Sequence, residues 1–338
     1  MIKKTNLKIG IAGYGDVGKK RKKILDKISG IEIVAISDKN PKYTILNKKI
    51  KFLKNYKKLF NEKIDIIFIS LPNKYAADAT RIAIKNNIHV FCEKPPARNI
   101  TELREVLKEF KKKKSRIKLK YGFNHRYHDS VMLAKKIIDS KKYGRLINLK
   151  GLYGKSKMTP FIGGWRTKKS MAGGGILLDQ GIHMLDLMKF FCGNFLEIKS
   201  FVGNDFWKHK IEDNAYVIMR SAKKIVAMIH STATQWQHQF RIEITFEKAL
   251  INLTGILSRS MSYGEESIEI QPKLKKNKKM KTIKFKKDLS WKREVTEYIN
   301  SIKFNKKILN GTIYDAIEVM KMVDLIYKSD KVWKKKFY

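Results

Sequence analysis

Along the first third of the chain, short apolar runs alternate with segments whose apolar residues recur at helical spacing. Residues 7–12, 31–37, 64–71, 88–92 and 117–122 are the apolar runs, rich in Ile, Val and Phe. They are the length of strands, and the run 64–71 is apolar on both faces, which predicts a strand buried within a sheet. Between them, residues 19–28, 76–85 and 101–111 carry the helical pattern. That alternation predicts βαβ units and a parallel sheet. The breaks agree with it. Asp38, Asn40 and Pro41 stop the second strand, Pro72-Asn73 stop the third, and Asn86-Asn87 close a helix, where asparagine tolerates a left-handed cap.

The pattern then changes. Residues 146–153, 197–207, 215–220, 225–233, 240–246 and 249–253 read as strands joined by short turns, which suits a largely antiparallel sheet. One strongly apolar helix, 176–191, interrupts them, and helices over 291–303 and 312–327 follow. No internal repeat is visible. With 338 residues the chain suits two domains, set here at 1–124 and 125–338, with the final helix free to pack back on the first.

The turn after the first strand is Gly13-Tyr14-Gly15-Asp16-Val17-Gly18, a G-x-G-x-x-G pattern. Alone it is weak, since an ordinary glycine turn gives the same letters. Here it follows a strand, opens a helix, and an acid, Asp38, stands at the end of the next strand. Gly13 permits the tight turn, Gly15 the approach of a pyrophosphate and Gly18 the close packing of helix on strand, while the helix N-terminus favours phosphate. Asp38 can accept hydrogen bonds from both ribose hydroxyls and repels a 2′-phosphate, so NAD is preferred. Lys39 beside it offsets part of that repulsion and leaves NADP admissible.

Composition narrows the partners. The formal charge is +43, but of 74 basic residues 12 are Arg and 62 are Lys, spread along the chain. Nucleic-acid readers rely on Arg forks and concentrate charge on one face, and no nucleic-acid-binding motif occurs. The lysine excess reads as solvated surface, with the runs 111–114 and 275–281 as helix-end and loop segments. No apolar run approaches the roughly 20 residues a membrane span needs. Cys92 and Cys192 each sit inside an apolar segment, which predicts two buried thiols and a reducing, cytoplasmic setting.

Two further segments carry chemistry. Lys94, in Glu93-Lys94-Pro95-Pro96, lies just past a buried strand, where a parallel sheet opens its ligand crevice. The alternative is a solvated loop lysine. In GGGILLDQGIHMLDL, 173–187, Asp179 and His183 are i and i+4, with Asp186 one turn further, forming a polar stripe on an apolar helix. Buried charge needs a reason. A structural His–Asp pair, a metal pair and an acid–base dyad all supply one, although no other cluster completes a metal site, so none is expected. The triple glycine 173–175 favours the dyad, because bare backbone lets a ligand approach the helix start.

Taken together, these pieces resemble the glucose–fructose oxidoreductase, inositol dehydrogenase and rhizopine-catabolism family (Gfo/Idh/MocA) over nearly the whole chain. The matching elements are the glycine turn at 13–18, Pro72-Asn73, Glu93-Lys94-Pro95, the 173–187 segment, Glu212-Asp213-Asn214-Ala215 and TIYDAIEVM at 312–320. The chain departs from the family pattern at Ala76, at Asn87 and in the turn Phe246-Glu247-Lys248-Ala249.

The resemblance implies an α/β fold, with an N-terminal Rossmann domain and a C-terminal α/β domain built on an open, mostly antiparallel sheet. It implies an NAD(P)-dependent oxidoreductase acting on a CH–OH group of a sugar, nucleotide sugar or cyclitol, with Lys94, Asp179 and His183 catalytic. The cofactor would be bound by Gly13 to Gly18, Asp38, Leu71, Pro72, Asn73, Glu93 and Lys94. Substrate contacts would come from Asn124, Arg126, Trp165, Arg166, Trp236 and His238. Arg126 and Arg166 stand out in a chain so poor in Arg, as candidate forks for a carboxylate or phosphate. A homodimer or homotetramer is implied through the second domain. The alternative of the same fold is a non-catalytic NAD(P)-binding regulator.

Overall fold

In the computed structural model, residues 6–40, 49–113, 117–159, 163–258, 262–273 and 280–337 are described. Pro41, Lys114 and the lysine stretch 275–279 lie outside them. The chain forms two compact units, Met1–Phe123 with Trp291–Ile317, and Asn124–Ser290 with Glu318–Tyr338. The C-terminal region is therefore shared: residues 291–317 fold with the first unit and the chain from Glu318 on with the second, so the boundary falls within the helix expected over 312–327.

The first unit is a six-stranded parallel sheet of β1 (Leu7–Ala12), β2 (Ile31–Ser37), β3 (Lys51–Leu53), β4 (Ile66–Ile69), β5 (His89–Glu93) and β6 (Leu119–Gly122). Its order is β3-β2-β1-β4-β5-β6, so the chain reverses direction across the sheet between β1 and β4. Helices α1 (Asp16–Leu25), α2 (Asn73–Lys85) and α3 (Ile100–Lys112) cross between the strands. Asn99 caps α3 by accepting from Glu102 N at 2.9 Å. Asn87 takes φ +59 at the end of α2, the left-handed conformation that its amide side chain tolerates.

The second unit holds α4 (Asp129–Asp139), α5 (Lys169–Ala172), α6 (Ile182–Cys192) and eight strands. These are β7 (Leu146–Ser156), β8 (Phe195–Gly203), β9 (Asn214–Ser221), β10 (Val226–Gln235), β11 (Gln239–Phe246), β12 (Ala249–Thr254), β13 (Glu266–Pro272) and β14 (Lys281–Phe285). Their order is β14-β13-β12-β11-β7-β10-β9-β8. Every pairing is antiparallel except β7 with β10. Residues alternate buried and exposed along β9, β11 and β12, so one face of the sheet is core and the other open. The sequence pattern did not predict α4, β13 or β14.

Helices α7 (Ser290–Lys303), α8 (Ile313–Ser329) and α9 (Lys331–Phe337) end the chain. From α7, Val295, Tyr298 and Ile299 enter the core of the first unit beside Phe68 and Phe91, and the Tyr298 ring meets both phenylalanines edge-on at 5.9 and 5.4 Å. Cys92 and Cys192 are buried free thiols; burial pushes both up to about 12, leaving them protonated and inert. Among the described residues no helix is long and apolar enough to cross a membrane.

On β10, His230 stacks on Tyr216 at 3.9 Å, with Nε2 3.1 Å from Asn214 Oδ1. Burial pushes its pKa down to about 4. An unfolded histidine takes up its proton near pH 6.5, so the unfolded state gains protons first as the pH falls. The stability this neutral ring contributes above pH 6.5 is thus lost on the way to about 4. The unfolding temperature of a His230→Gln variant should fall less than that of the parent between about pH 7 and about pH 4.5. Equal falls would refute this assignment.

Candidate active site

The glycine turn joins three strand ends of the first unit. Gly13 N donates to Ser37 O at 2.8 Å, and Tyr14 N donates to the Asp38 carboxylate at 2.6 Å. Gly13 takes φ +90, and a Cβ on it would stand 2.5 Å from Ser70 O, just after β4. A Cβ on Gly18 would stand 2.1 Å from Gly13 O, so α1 packs directly on the turn. Gly15 differs from both: nothing lies within 4 Å of its Cβ position. The turn therefore has tight backbone on its inner side and clear space at Gly15, where α1 begins and a pyrophosphate could reach backbone N–H groups. The second Asp38 oxygen accepts from Asn40 N at 2.8 Å; a carboxylate has about four acceptor sites, which leaves capacity for ribose hydroxyls. Leu71 and Pro72 follow β4, and Asn73, buried, starts α2. These features fit a dinucleotide.

Glu93 ends β5, and Lys94, half-buried, follows it through a cis peptide to Pro95. What holds this turn was not legible in the sequence. Arg21 of α1 is wholly buried, its guanidinium 4.5 Å from the Phe91 ring and 4.2 Å from Trp291. It donates to Glu93 at 2.6 Å and to Glu294 of α7 at 2.8 Å. Burial opposes the Arg21 charge, but the two carboxylates more than offset it and raise its pKa. Glu294 is pushed up to about 7 by burial, with Arg21 and Lys120 pulling the other way. The Glu93 carboxylate is thus engaged by Arg21, and the helix of the glycine turn is tied to the lysine turn.

In the second unit, the segment bearing Asp179 and His183 is not one continuous α-helix. Leu177–Gly181 is a π turn leading into α6. Its start is held by Glu212, a buried carboxylate that accepts from Leu177 N at 3.1 Å and Tyr327 Oη at 2.7 Å, while Ile176 N donates to Glu212 O at 3.0 Å. Burial raises the Glu212 pKa despite these donors. The glycines also act differently from the expectation. A Cβ on Gly174 would stand 2.3 Å from Tyr327 Oη, and one on Gly175 2.0 Å from Glu212 O. On their Cβ sides these two make room for a tyrosine and for protein backbone. Glu212-Asp213 is likewise structural, Asp213 accepting from Phe206 N and Trp207 N at 3.0 and 2.9 Å.

Around this turn the structure gathers some expected residues and separates others. Arg166 lies 3.8 Å from the Asp179 carboxylate and over the Trp165 ring at 4.4 Å. His183 is buried, its ring stacked at 3.7 Å on His125. His125 lies 3.3 Å from Asn124 Oδ1 and 3.2 Å from Tyr153 Oη. Tyr153 meets Tyr263 edge-on at 5.2 Å; Tyr263 donates to Gln180 at 3.1 Å and packs on His238 at 4.8 Å. Trp236 is 70% exposed, with the Lys157 amine 3.4 Å over its ring. Arg126 is engaged within the protein. Buried, it donates twice to Asp186, at 2.8 and 2.6 Å, so the fork expected to take a substrate anion holds α6 instead, and Asp186 leaves the polar stripe.

His125, Tyr153, Lys155 and Tyr263 were missed. Tyr153 and Lys155 sit two apart on β7, the spacing that puts both on one face, but an isolated strand does not reveal which face meets a site. Burial holds Tyr153 and Tyr263 above the usual phenol range, so both remain hydrogen-bond donors. Burial and the Arg166 charge lower the Lys155 pKa, with Asp179 opposing; burial and Lys155 lower that of His238. Among the described residues no group of His, Cys, Asp and Glu could hold a metal ion.

Residues 7–121 match the family model described as oxidoreductase family, NAD-binding Rossmann fold, and residues 131–252 match the GFO/IDH/MocA C-terminal domain. Inositol 2-dehydrogenase of Salmonella paratyphi B is 25% identical over 268 residues, 75% of this chain and 76% of that protein. Levoglucosan dehydrogenase of Pseudarthrobacter phenanthrenivorans is 31% identical over 141 residues, 40% of this chain and 35% of that one. A solved structure of levoglucosan dehydrogenase in complex with NADH and levoglucosan shares the fold, with a TM-score of 0.84 at 19% identity over 97% of this chain and 98% of that one.

Replacing Arg21 by Met would leave Glu93 and Glu294 buried without their cation. Such a loss typically costs about 3–5 kcal/mol, to be read as a lower urea midpoint, while Arg21→Lys should recover part of it. An Arg21→Met protein as stable as the parent would remove the clamp from the account.

Proposed function

The chain belongs to the Gfo/Idh/MocA family of NAD-binding oxidoreductases, and on that premise we propose that it moves a hydride between nicotinamide and a secondary hydroxyl or ketone of a sugar, nucleotide sugar or cyclitol. The relatives it matches are named as inositol and levoglucosan dehydrogenases, which favours a catalytic role over a regulator that only holds the cofactor. One observation carries the reading: a glycine turn with clear space at Gly15 and a buried imidazole beside a carboxylate-bearing π turn occur in one chain.

Bound NAD supplies the two-electron acceptor. The glycine turn, Asp38 and the Leu71-Pro72-Asn73 corner would bind it. His183 takes the hydroxyl proton as general base, Asp179 supports the imidazolium that results, and the Lys94 ammonium stabilises the negative charge developing on oxygen. In the reduction direction the same groups return the proton to a ketone. Asn124, Trp165, Arg166, His238 and Trp236 are the substrate contacts, joined by Lys155. With Arg126 committed to Asp186, Lys155 and Arg166 beside Asp179 are the cations that would favour a carboxylate or phosphate on the substrate, which suits a nucleotide sugar.

A second copy of the chain is the proposed partner. The open face of the eight-stranded sheet presents Phe201, Tyr216, Ile218 and Met228, each 44–80% exposed, on three neighbouring strands. An apolar row of that extent suits an interface in a homodimer or homotetramer.

His183→Ala and Lys94→Ala should each lower kcat by about 10²–10⁴-fold while NADH still binds, measured by NADH fluorescence and by turnover of myo-inositol, levoglucosan, D-glucosides and nucleotide sugars. Near-parental turnover in both variants would refute the roles. Asp38→Ser removes the charge that opposes a 2′-phosphate, so the ratio of kcat/KM for NAD over NADP should drop by about tenfold or more; an unchanged ratio would count against Asp38.

A further inference from the structure

A histidine that accepts a proton must present its ring edge in one direction, yet its own χ2 torsion fixes the ring plane only weakly, because sp³–sp² torsions are broad. Something outside the side chain has to set that plane. In this chain the face of His183 lies against the face of His125, with ring centroids 3.7 Å apart and planes inclined by 14°. Both residues are buried, at 5% and 7% exposure.

His125 is in turn held at both nitrogens, and the donors run in one direction. Ser290 Oγ donates to the Asp288 carboxylate at 2.6 Å, so its oxygen is left to accept from Asn124 Nδ2 at 3.1 Å. That fixes the Asn124 amide with Oδ1 towards His125 Nδ1, at 3.3 Å. An amide oxygen only accepts, so Nδ1 carries the hydrogen. In the neutral ring Nε2 is then the acceptor, met at 3.2 Å by Tyr153 Oη, a phenol that burial keeps protonated. Tyr153, His125, Asn124, Ser290 and Asp288 thus form a chain in which each member donates to the next and ends on a carboxylate, an arrangement that polarises cooperatively. Around it, His128 meets His125 edge-on at 5.5 Å with its own Nδ1 2.7 Å from Glu266, and Phe240 closes another side at 6.0 Å.

We propose that His125 is a positioning residue: its plane, set by Asn124 and Tyr153, aligns the His183 ring for proton transfer. The inference rests on His183 as the base. It assigns His125 no contact with substrate; its contribution is a flat face at stacking distance.

The experiment compares His125→Leu, His125→Phe and Tyr153→Phe with the parent and with His183→Ala, using the most active member of the panel of myo-inositol, levoglucosan, D-glucosides and nucleotide sugars. Leu removes the flat face, and misalignment of this kind costs up to about 10²-fold. We expect kcat of His125→Leu to fall by about 10–10²-fold with KM and NADH affinity near parental, and His125→Phe, which keeps a ring face, to recover most of that loss. Tyr153→Phe keeps the packing but frees one end of His125, and should lower kcat by a smaller factor with KM unchanged; it also serves should the Leu variant not fold. Parental kcat in His125→Leu, or in Tyr153→Phe if Leu is unfolded, overturns the proposal, as does equal loss in the Leu and Phe variants. Survival of activity in His183→Ala strikes at the base assignment itself, a separate failure.

Discussion

A charge taken out of water must be matched within a few ångströms, and that requirement shapes both units. Arg21 has no solvent to turn to, so Glu93 and Glu294 come to it. Arg126 and Asp186 pair by two hydrogen bonds inside the second unit, and Glu266 is met by His128 and by Ser130 N and Oγ. Each pair offsets a desolvation cost of several kcal/mol per ion only in one arrangement, so each fixes a backbone segment that would otherwise have alternatives. Such pairs add little net stability relative to apolar residues; what they supply here is geometry.

Those fixed segments adjoin the residues proposed to react. The Arg21 pair ends on Glu93, the residue before Lys94. The Arg126 pair ends on Asp186, one turn beyond His183. Glu212 is the third anchor, a carboxylate whose donors are two backbone N–H groups and the Tyr327 hydroxyl. It ties down the start of the π turn that carries Asp179, and π turns inside helices are frequent where side chains must be aimed.

Rigidity of this kind also explains why several residues that look reactive are not the ones proposed to react. Arg126 has the fork for an anion, but Asp186 occupies it. Cys92 and Cys192 are nucleophiles by type, yet burial holds them protonated. The glycines at 174 and 175 look like a ligand cradle in the sequence; in the fold they make room for Tyr327 and Glu212.

Local pattern was enough for whatever depends on neighbours in the chain. Strand runs, the glycine turn, Asp38 just after β2 and the buried thiols are all set by short-range spacing. The Rossmann sheet and the mostly antiparallel second sheet followed from those runs. Three-dimensional packing decided the rest, because it depends on which distant groups meet. Glu294 reaches Arg21 across 273 positions, Tyr327 reaches Glu212 across 115, and His128 reaches Glu266 across 138. No spacing rule records such encounters. The π turn, the role of the triple glycine, the commitment of Arg126 and the ring that lies against His183 arise from long-range desolvation and pairing, which only the folded chain brings about.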